Sequence, residues 1–235
     1  MKKFYFLAVS ALVFILAACG PKVIEKKFAN TNFATFTTEG TGKYGAKNCL
    51  TGDILIPAEY SNIGYYYSGY FTAQDANGIC LYDTLKNKVI PASNEINAHE
   101  GYFDFATDKS SKGEGSKGIY FIKEKTTVSG CYEALQIDEA GNVIATATVG
   151  ETKVCGVLSP KNSIIIPCEY NLLILEADKY YAAKDKNPKR PFITNKDGKI
   201  SVNWVLAESS VFDKDGKLIK KLTASQAKKI FEAKK

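Results

Sequence analysis

From Lys43 onward the apolar and polar positions repeat one pattern: an apolar pair, a polar turn containing Gly or Asn, and a second apolar run that often closes on Ile-Pro. It occurs at Ala46–Pro57 (AKNCLTGDILIP), Leu81–Pro91 (LYDTLKNKVIP), Gln136–Ala145 (QIDEAGNVIA) and Gly156–Pro167 (GVLSPKNSIIIP). It returns at Phe192–Val202 (FITNKDGKISV) and Val211–Ile219 (VFDKDGKLI). Alternation on both sides of a short polar break predicts a β-hairpin, because residues two apart share a face and pair across the strands. Asp or Asn caps its own turn, and Gly or Asn supplies the positive φ of a tight hairpin. Pro lacks a ladder donor, so the pairing is expected to stop there.

A longer period runs above the hairpins. Pro57 is followed by Ala58-Glu59-Tyr60 and then by Tyr70-Phe71-Thr72-Ala73. Pro167 is followed by Cys168-Glu169-Tyr170 and then by Tyr180-Tyr181-Ala182-Ala183, and Pro91 by Tyr102-Phe103-Asp104-Phe105. Each aromatic run is expected to be a third strand completing a unit. Pro57 to Pro91 is 34 residues and Pro91 to Pro167 is 76, about two units. A period in the 30s implies that each unit buries its apolar face against the next. The fold class expected is all-β, built of antiparallel hairpin or three-strand units. The register leaves open a superhelix or a propeller-like ring.

Lys43-Tyr44-Gly45, the polar turn, Ile56-Pro57, Ala58-Glu59-Tyr60 and Gly69-Tyr70-Phe71 resemble the WG-repeat family. Lys153-Val154-Cys155-Gly156 with Ile166-Pro167-Cys168-Glu169-Tyr170 is the second-best unit. The Trp of that family is replaced by Tyr44, Ile79 and Cys155, and the paired Gly by Cys80. The resemblance covers about Lys43 to Lys220. It implies a β-repeat scaffold with no catalytic activity.

The N-terminus follows different rules. Lys2 and Lys3 precede an apolar run, Phe4 to Ala18, broken only by Ser10. That is shorter than the roughly 20 residues a membrane span needs. It ends in Leu16-Ala17-Ala18-Cys19-Gly20, which resembles a bacterial lipobox. Small residues fit a peptidase cleft, and the Cys19 thiol is the acceptor for a diacylglyceryl group. The resemblance implies a signal peptide over 1–18 and a membrane anchor on Cys19. Acyl chains contribute about 0.8 kcal/mol per buried CH₂, so two or three chains hold in practice permanently. Gly20 rather than Asp after the cysteine resembles outer-membrane sorting in a Gram-negative host.

Removing 1–18 leaves 217 residues and lowers the formal charge from +6 to +4. A mild, dispersed charge does not argue for nucleic acid. Abundant Tyr and Phe with a single Met and a single Trp suit strands. Gly20 to Gly42 is polar and reads as a flexible tether with an edge strand at Asn32–Thr38. The stretch 43–220 reads as the repeat domain, Asp108–Gly118 as a flexible loop, and 221–235 as a C-terminal helix. Thr223 and Gln226 have capping-box spacing, and Ala227, Ile230 and Phe231 form its apolar stripe. That helix either packs on the last β unit or meets anionic lipid.

Candidate chemistry is sparse. Cys49, Cys80, Cys131, Cys155 and Cys168 show no CxxC spacing, and His99 is the only histidine, so no zinc site of the usual kind is supported. Asn195-Lys-Asp197-Gly198 and Asp213-Lys-Asp215-Gly216 resemble fragments of calcium loops, but Trp204 and Leu222 stand where the bidentate Glu is needed. They read as turns. No nucleophile elbow accompanies His99, and no catalytic residues are assigned. Tyr65, Tyr66 and Tyr67 with Tyr70 and Phe71 form the densest aromatic cluster. Adjacent strand residues face opposite ways, so at least one ring is expected on a surface, for a sugar or a protein partner, unless the cluster packs between repeats. If Lys161 and Asn162 form their hairpin's tip, Cys155 faces Cys168 across it, either as a disulfide or as two small buried side chains. The function expected is a non-enzymatic interaction or scaffold module of the bacterial envelope, with an envelope protein as partner. The alternative is a glycan or peptidoglycan receptor. No cofactor is expected beyond the lipid on Cys19.

Overall fold

The computed structural model describes residues 22–107, 117–196 and 198–233. Cys19, the apolar run before it and most of the Asp108–Gly118 loop lie outside the described residues. Among those described, the chain forms 22 strands, two short 3₁₀ turns and one α-helix, and no helix is long and apolar enough to cross a membrane. It divides into two compact units, 1–94 and 95–235.

The first unit holds two four-stranded antiparallel sheets in sequential order. One is β1 (Val23–Lys27), β2 (Phe33–Thr38), β3 (Tyr44–Asn48) and β4 (Ile54–Tyr60); the other is β5 (Asn62–Tyr66), β6 (Tyr70–Asp75), β7 (Gly78–Tyr82) and β8 (Lys88–Ser93). The second unit holds three more. These are β9 (Glu95–His99), β10 (Tyr102–Ala106), β11 (Lys117–Phe121) and β12 (Thr126–Gly130), then β13 (Ala134–Ile137), β14 (Val143–Val149), β15 (Thr152–Leu158) and β16 (Ile164–Tyr170). The last is β17 (Leu172–Glu176), β18 (Lys179–Asp185), β21 (Ala207–Asp213) and β22 (Leu218–Leu222); between β18 and β21 lies a separate hairpin, β19 (Ile193–Lys196) with β20 (Lys199–Val202). Helix α1 (Ala224–Glu232) follows.

All six patterned stretches are hairpins, and four of their turns share one geometry. In four of them the turn opens with Asp83, Asp138, Ser159 or Asp213, whose side chain accepts from backbone N–H groups farther on: Asp83 Oδ1 from Leu85 and Asn87, Asp138 Oδ1 from Ala140 and Asn142, Asp213 Oδ1 from Asp215 and Lys217, and Ser159 Oγ from Ser163. Three residues after the cap the backbone turns to positive φ, at Lys86, Gly141, Asn162 and Gly216. The cap oxygen is therefore occupied by its own turn, as Asp213 Oδ1 is by the Asp215 and Lys217 N–H groups.

Three expectations are corrected. The aromatic runs at Tyr70, Tyr102 and Tyr180 are strands, but each is the second strand of a four-stranded sheet and not the third strand of the hairpin before it. The stretch read as a tether is folded from Val23 on: β2 is an inner strand, paired to β1 on one side and β3 on the other, and β1 is the edge. Pro does not end the pairing. Strands β4, β8 and β16 run through Pro57, Pro91 and Pro167 by bulging. Val157 faces Ile166, but the next pair is Cys155 with Tyr170, so Pro167, Cys168 and Glu169 together oppose Gly156. Likewise Ala46 faces Ile56 and Tyr44 faces Tyr60 across Gly45. The bulge leaves the proline outside the ladder, where its missing N–H costs nothing.

The bulge explains the glycine. A Cβ on Gly156 would lie 2.6 Å from the Ile166 carbonyl oxygen and 2.7 Å from Cys168 Cα; one on Gly45 would lie 2.6 Å from the Ile56 oxygen. Where Cys80 replaces that glycine the bulge is shorter: Leu81 faces Ile90 and Ile79 faces Ser93, leaving only Pro91 and Ala92 between.

Each unit is filled by inward residues of adjacent sheets. In the first, Ala46, Ile56, Tyr60, Ile63, Phe71, Ala73, Cys80 and Tyr82 form one buried cluster. The same device recurs in the second. Tyr60 at the end of β4 meets Tyr82 of β7 at 6.0 Å, edge-on, and Tyr170 at the end of β16 meets Phe212 of β21 at 5.8 Å in the same way. In both places the Tyr closing a bulged strand packs on the third strand of the following sheet. This is nearest-neighbour packing of repeats.

Candidate functional site

The repeat is broken once within the described sheets. The other described links between second and third strands are turns of two to five residues, at 39–43, 76–77 and 150–151. Between β18 and β21 the chain instead makes a 21-residue excursion, 186–206. It is built on its own small core. Phe192 (1% exposed), Trp204, Ala207, Ala227 and Phe231 cluster, and the Trp204 and Phe231 rings stack at 5.2 Å. Trp204 Nε1 donates to Glu232 Oε1 at 3.1 Å, which ties the excursion to α1. The helix is capped as its sequence implies: Thr223 Oγ1 accepts from the Gln226 N–H and Gln226 Oε1 from the Thr223 N–H. Its apolar stripe is thus covered by the last sheet and the excursion, which leaves no apolar face for lipid.

The entry of the excursion is held by polar side chains. Asn171 Oδ1 accepts from the Asp185 N–H at 3.0 Å, and Asp185 Oδ1 accepts from the Phe192 N–H at 2.7 Å. Lys186 Nζ donates to the Val205 carbonyl at 2.7 Å. Lys184 is absorbed by the sheet: its ammonium lies 2.6 Å from Glu169 Oε1, which raises its pKa, and 5.3 Å from the Tyr170 ring centroid.

What remains is cationic and exposed. Lys189, Arg190 (the chain's single arginine), Lys196 and Lys199 are solvent-exposed and have no carboxylate partner among the described residues. Ile200, next to Lys199 in sequence, and Val205, whose carbonyl accepts from Lys186, are 64% and 67% exposed. A cleft of about 710 Å³ lies along the excursion, lined by Lys153, Asn171, Asp185, Pro188, Thr194 and Lys196 among others. That volume is in the range of ligand clefts. Its lining sets Lys153 and Lys196 against Glu151 and Asp185, with amide groups and no aromatic ring.

The sites expected from sequence fall elsewhere. Phe71 is fully buried and Tyr70 is 6% exposed. Tyr65 packs against Phe28, Phe33 and Phe71 with ring centroids 5.6, 6.0 and 5.2 Å away, and its hydroxyl accepts from the Gly69 N–H. Tyr66 is half-buried at the end of β5; the side chain of Tyr67, which opens a 3₁₀ turn, lies outside what is described. The aromatic cluster is therefore mainly core.

Cys155 and Cys168 do not face each other, because the bulge shifts the register by two; both are free thiols. Cys155 Sγ donates to the Tyr170 carbonyl at 3.0 Å and Cys168 Sγ to that of Val154 at 3.5 Å. Burial, with Cys168 nearby, pushes the Cys155 thiol up to about 12, and burial raises Cys168 as well. Neither thiol has the depressed pKa of a reactive cysteine. His99 Nε2 lies 2.5 Å from Asp104 Oδ2 and its ring stacks on Tyr102 at 4.5 Å, cross-strand contacts of β9 with β10. No group of three potential ligands capable of holding a metal occurs among the described residues.

The excursion itself was not singled out from sequence. Its signal was there: Lys184 to Lys199 contains five lysines and the arginine against Asp185 and Asp197.

Fold and site thus define an all-β protein of repeated four-stranded antiparallel sheets carrying one structured insertion. No family model matches the chain, and no curated protein matches it. Solved structures that resemble it do so distantly. A eukaryotic initiation factor has a TM-score of 0.34 at 10% identity, over 82% of this chain and 53% of its own. Kluyveromyces lactis Hsv2 has 0.29 at 9%, over 81% and 61%. Porphyromonas gingivalis dipeptidyl peptidase 4 has 0.29 at 9%, over 93% and 48%. The chain spans about half to three-fifths of the length of these proteins.

Proposed function

We propose that this chain is a lipid-anchored, non-catalytic binding module of the bacterial cell envelope, a degenerate WG-repeat protein that engages an acidic protein partner through the 186–206 excursion. The anchor is the acylated Cys19, in the outer membrane if the host is Gram-negative. The observation that carries the binding role is the single break in the repeat among the described residues. The sheets turn most of their aromatic residues inward, and the excursion brings exposed cations without a carboxylate partner among the described residues, exposed Ile200 and Val205, and a polar cleft together on a packed base. Unpaired lysines around such a patch favour an anionic partner by steering and by charge pairing. A neutral glycan is favoured less, since sugars are held by stacking on aromatic rings and the cleft has none.

Cross-linking in intact envelopes, followed by capture of the tagged protein, tests this. With Lys196→Glu and Lys199→Glu together, recovery of an acidic protein should fall about tenfold and wild-type recovery should fall in high salt. Equal recovery by both forms overturns the reading, and recovery of glycan in place of protein moves it to the receptor alternative. The anchor has its own test. Cys19→Ala should lose all fatty-acid labelling, and undiminished labelling overturns the lipoprotein assignment.

A further inference from the structure

Strand β1 begins at Val23, four residues after Cys19. Consecutive Cα atoms are at most about 3.8 Å apart, and an extended chain advances about 3.3–3.6 Å per residue. Val23 therefore lies no more than about 14 Å from the Cα of Cys19, whatever path the link takes. An acylated cysteine sits at the edge of the hydrocarbon, and the headgroup layer outside it is about 5–7 Å deep. Little of the link is left after crossing that layer. The first sheet is thus held at the membrane surface, within about a Debye length of it, by covalent geometry alone.

The part of the sheet nearest the anchor has the composition such a position demands. All five residues of β1 are exposed, and it is the edge strand, paired only to β2. Val23 and Ile24 are 53% and 48% exposed. Lys22, Lys26 and Lys27 are exposed and have no carboxylate partner among the described residues. The one acid of the strand, Glu25, is neutralised by Lys47 Nζ at 2.5 Å. Alternation puts Ile24 and Lys26 on one face of the strand and Val23 and Lys27 on the other, so it is the strand's edge, with cations and exposed aliphatic side chains on both flanks, that matches an anionic headgroup layer over its acyl boundary. A rival explanation is that edge lysines only prevent strand-to-strand aggregation. That role does not require the lysines to cluster beside the anchor, and it predicts no dependence on lipid charge.

We infer that β1 is a membrane-contact strand, seated on anionic phospholipid headgroups with Lys22, Lys26 and Lys27 as its cationic contacts. This rests on the lipid-anchored reading. The test uses the intact lipidated protein, reconstituted into vesicles of phosphatidylcholine alone or with roughly one third phosphatidylglycerol, with amide hydrogen exchange read by mass spectrometry. Exchange over 23–27 should be about tenfold slower on the anionic vesicles, with the inner strands unchanged. The slowing should vanish in about 0.5 M salt, and in a variant carrying Lys22→Glu, Lys26→Glu and Lys27→Glu that stays acylated and melts as the wild type does. Equal exchange of β1 in both vesicle types, with acylated Cys19 in the same digest, overturns the inference and leaves the anchor standing. An N-terminal peptide without acyl mass overturns the anchor and the placement together.

Discussion

At the scale of single residues, the hairpin turns show how strictly one geometry is imposed. The position three residues after each cap has positive φ, and at one of them the residue is Lys86 rather than Gly or Asn, with φ of 70°. An L side chain there costs roughly 1–2 kcal/mol, while glycine gives back about 0.4–1 kcal/mol through the freedom of the unfolded chain. Lys86→Gly should therefore stabilise the protein by about 0.5–1 kcal/mol, read as a raised urea midpoint with an unchanged slope. A lowered midpoint would mean that the Lys86 side chain makes a contact worth more than the strain. Tyr60 offers a second test. Its hydroxyl is 2.5 Å from that of Tyr82, and burial, then this hydrogen bond, push its pKa up to about 12. The folded state keeps a proton that the unfolded state releases near pH 10. The stability linked to it is fully present below about pH 10 and is lost as pH rises towards 12. Tyr60→Phe should cost about 1 kcal/mol near pH 8, where the Tyr82 hydroxyl loses its partner, and that difference should narrow by about pH 11. A gap of constant size at the two pH values would show that Tyr60 does not titrate differently in the two states.

At the scale of elements, the hairpins were legible because their information is local: a cap, a positive-φ residue and two alternating runs lie within a dozen positions. The order of four strands per sheet was less so. Strands such as β5 (Asn62–Tyr66) and β17 (Leu172–Glu176) have no turn motif of their own, and follow the preceding sheet after a single residue. The register around Pro167 was misread for a definite reason. Counting outward from Lys161 and Asn162 correctly pairs Val157 with Ile166, and then assumes one residue opposite one. Three residues oppose Gly156 instead, because the missing N–H of proline and the missing side chain of glycine occur face to face. Read together, Gly156 and Pro167 predict that bulge. The aromatic cluster was legible as a cluster but not as core, since Phe28 and Phe33, the partners of Tyr65, belong to a stretch read as tether. The helix was legible in its cap and its apolar stripe but not in its start: expected from 221, it begins at Ala224, because Lys221 and Leu222 complete β22. Its role in holding the excursion depends on Trp204, distant in sequence. Phe231→Ala removes a ring stacked on Trp204 and should cost about 3–5 kcal/mol, while Thr223→Ala removes only the cap and should cost about 1 kcal/mol. Both are read from thermal or urea unfolding. Similar small losses would mean that α1 is dispensable to the insertion.

At the scale of the whole molecule, each sheet draws its core from its neighbours in sequence, and the chain gathers into two compact units that meet in sequence at Asn94 and Glu95. Stability in such an array is a sum of repeat and interface terms, and cooperativity across the whole chain is not assured. The composition supplies a probe that separates the parts. Trp204 is the only tryptophan, and it sits 7% exposed in the small core of the last sheet, against Phe192, Phe231 and the helix. Its fluorescence reports the second unit alone, whereas far-UV circular dichroism sums strands from both. The buried clusters also differ in kind. That of the first unit is dominated by Tyr60, Ile63, Phe71 and Tyr82, and that around Trp204 is closed by a nine-residue helix whose stability depends on packing. The excursion and helix should open first. In urea, the tryptophan transition should precede the circular-dichroism transition, and Phe231→Ala should move the former much further than the latter. Phe71→Ala, in the first unit, should do the reverse. Coincident transitions for the wild type, shifted equally by both substitutions, would show that the two units unfold as a single body, and that the excursion cannot loosen without the sheets.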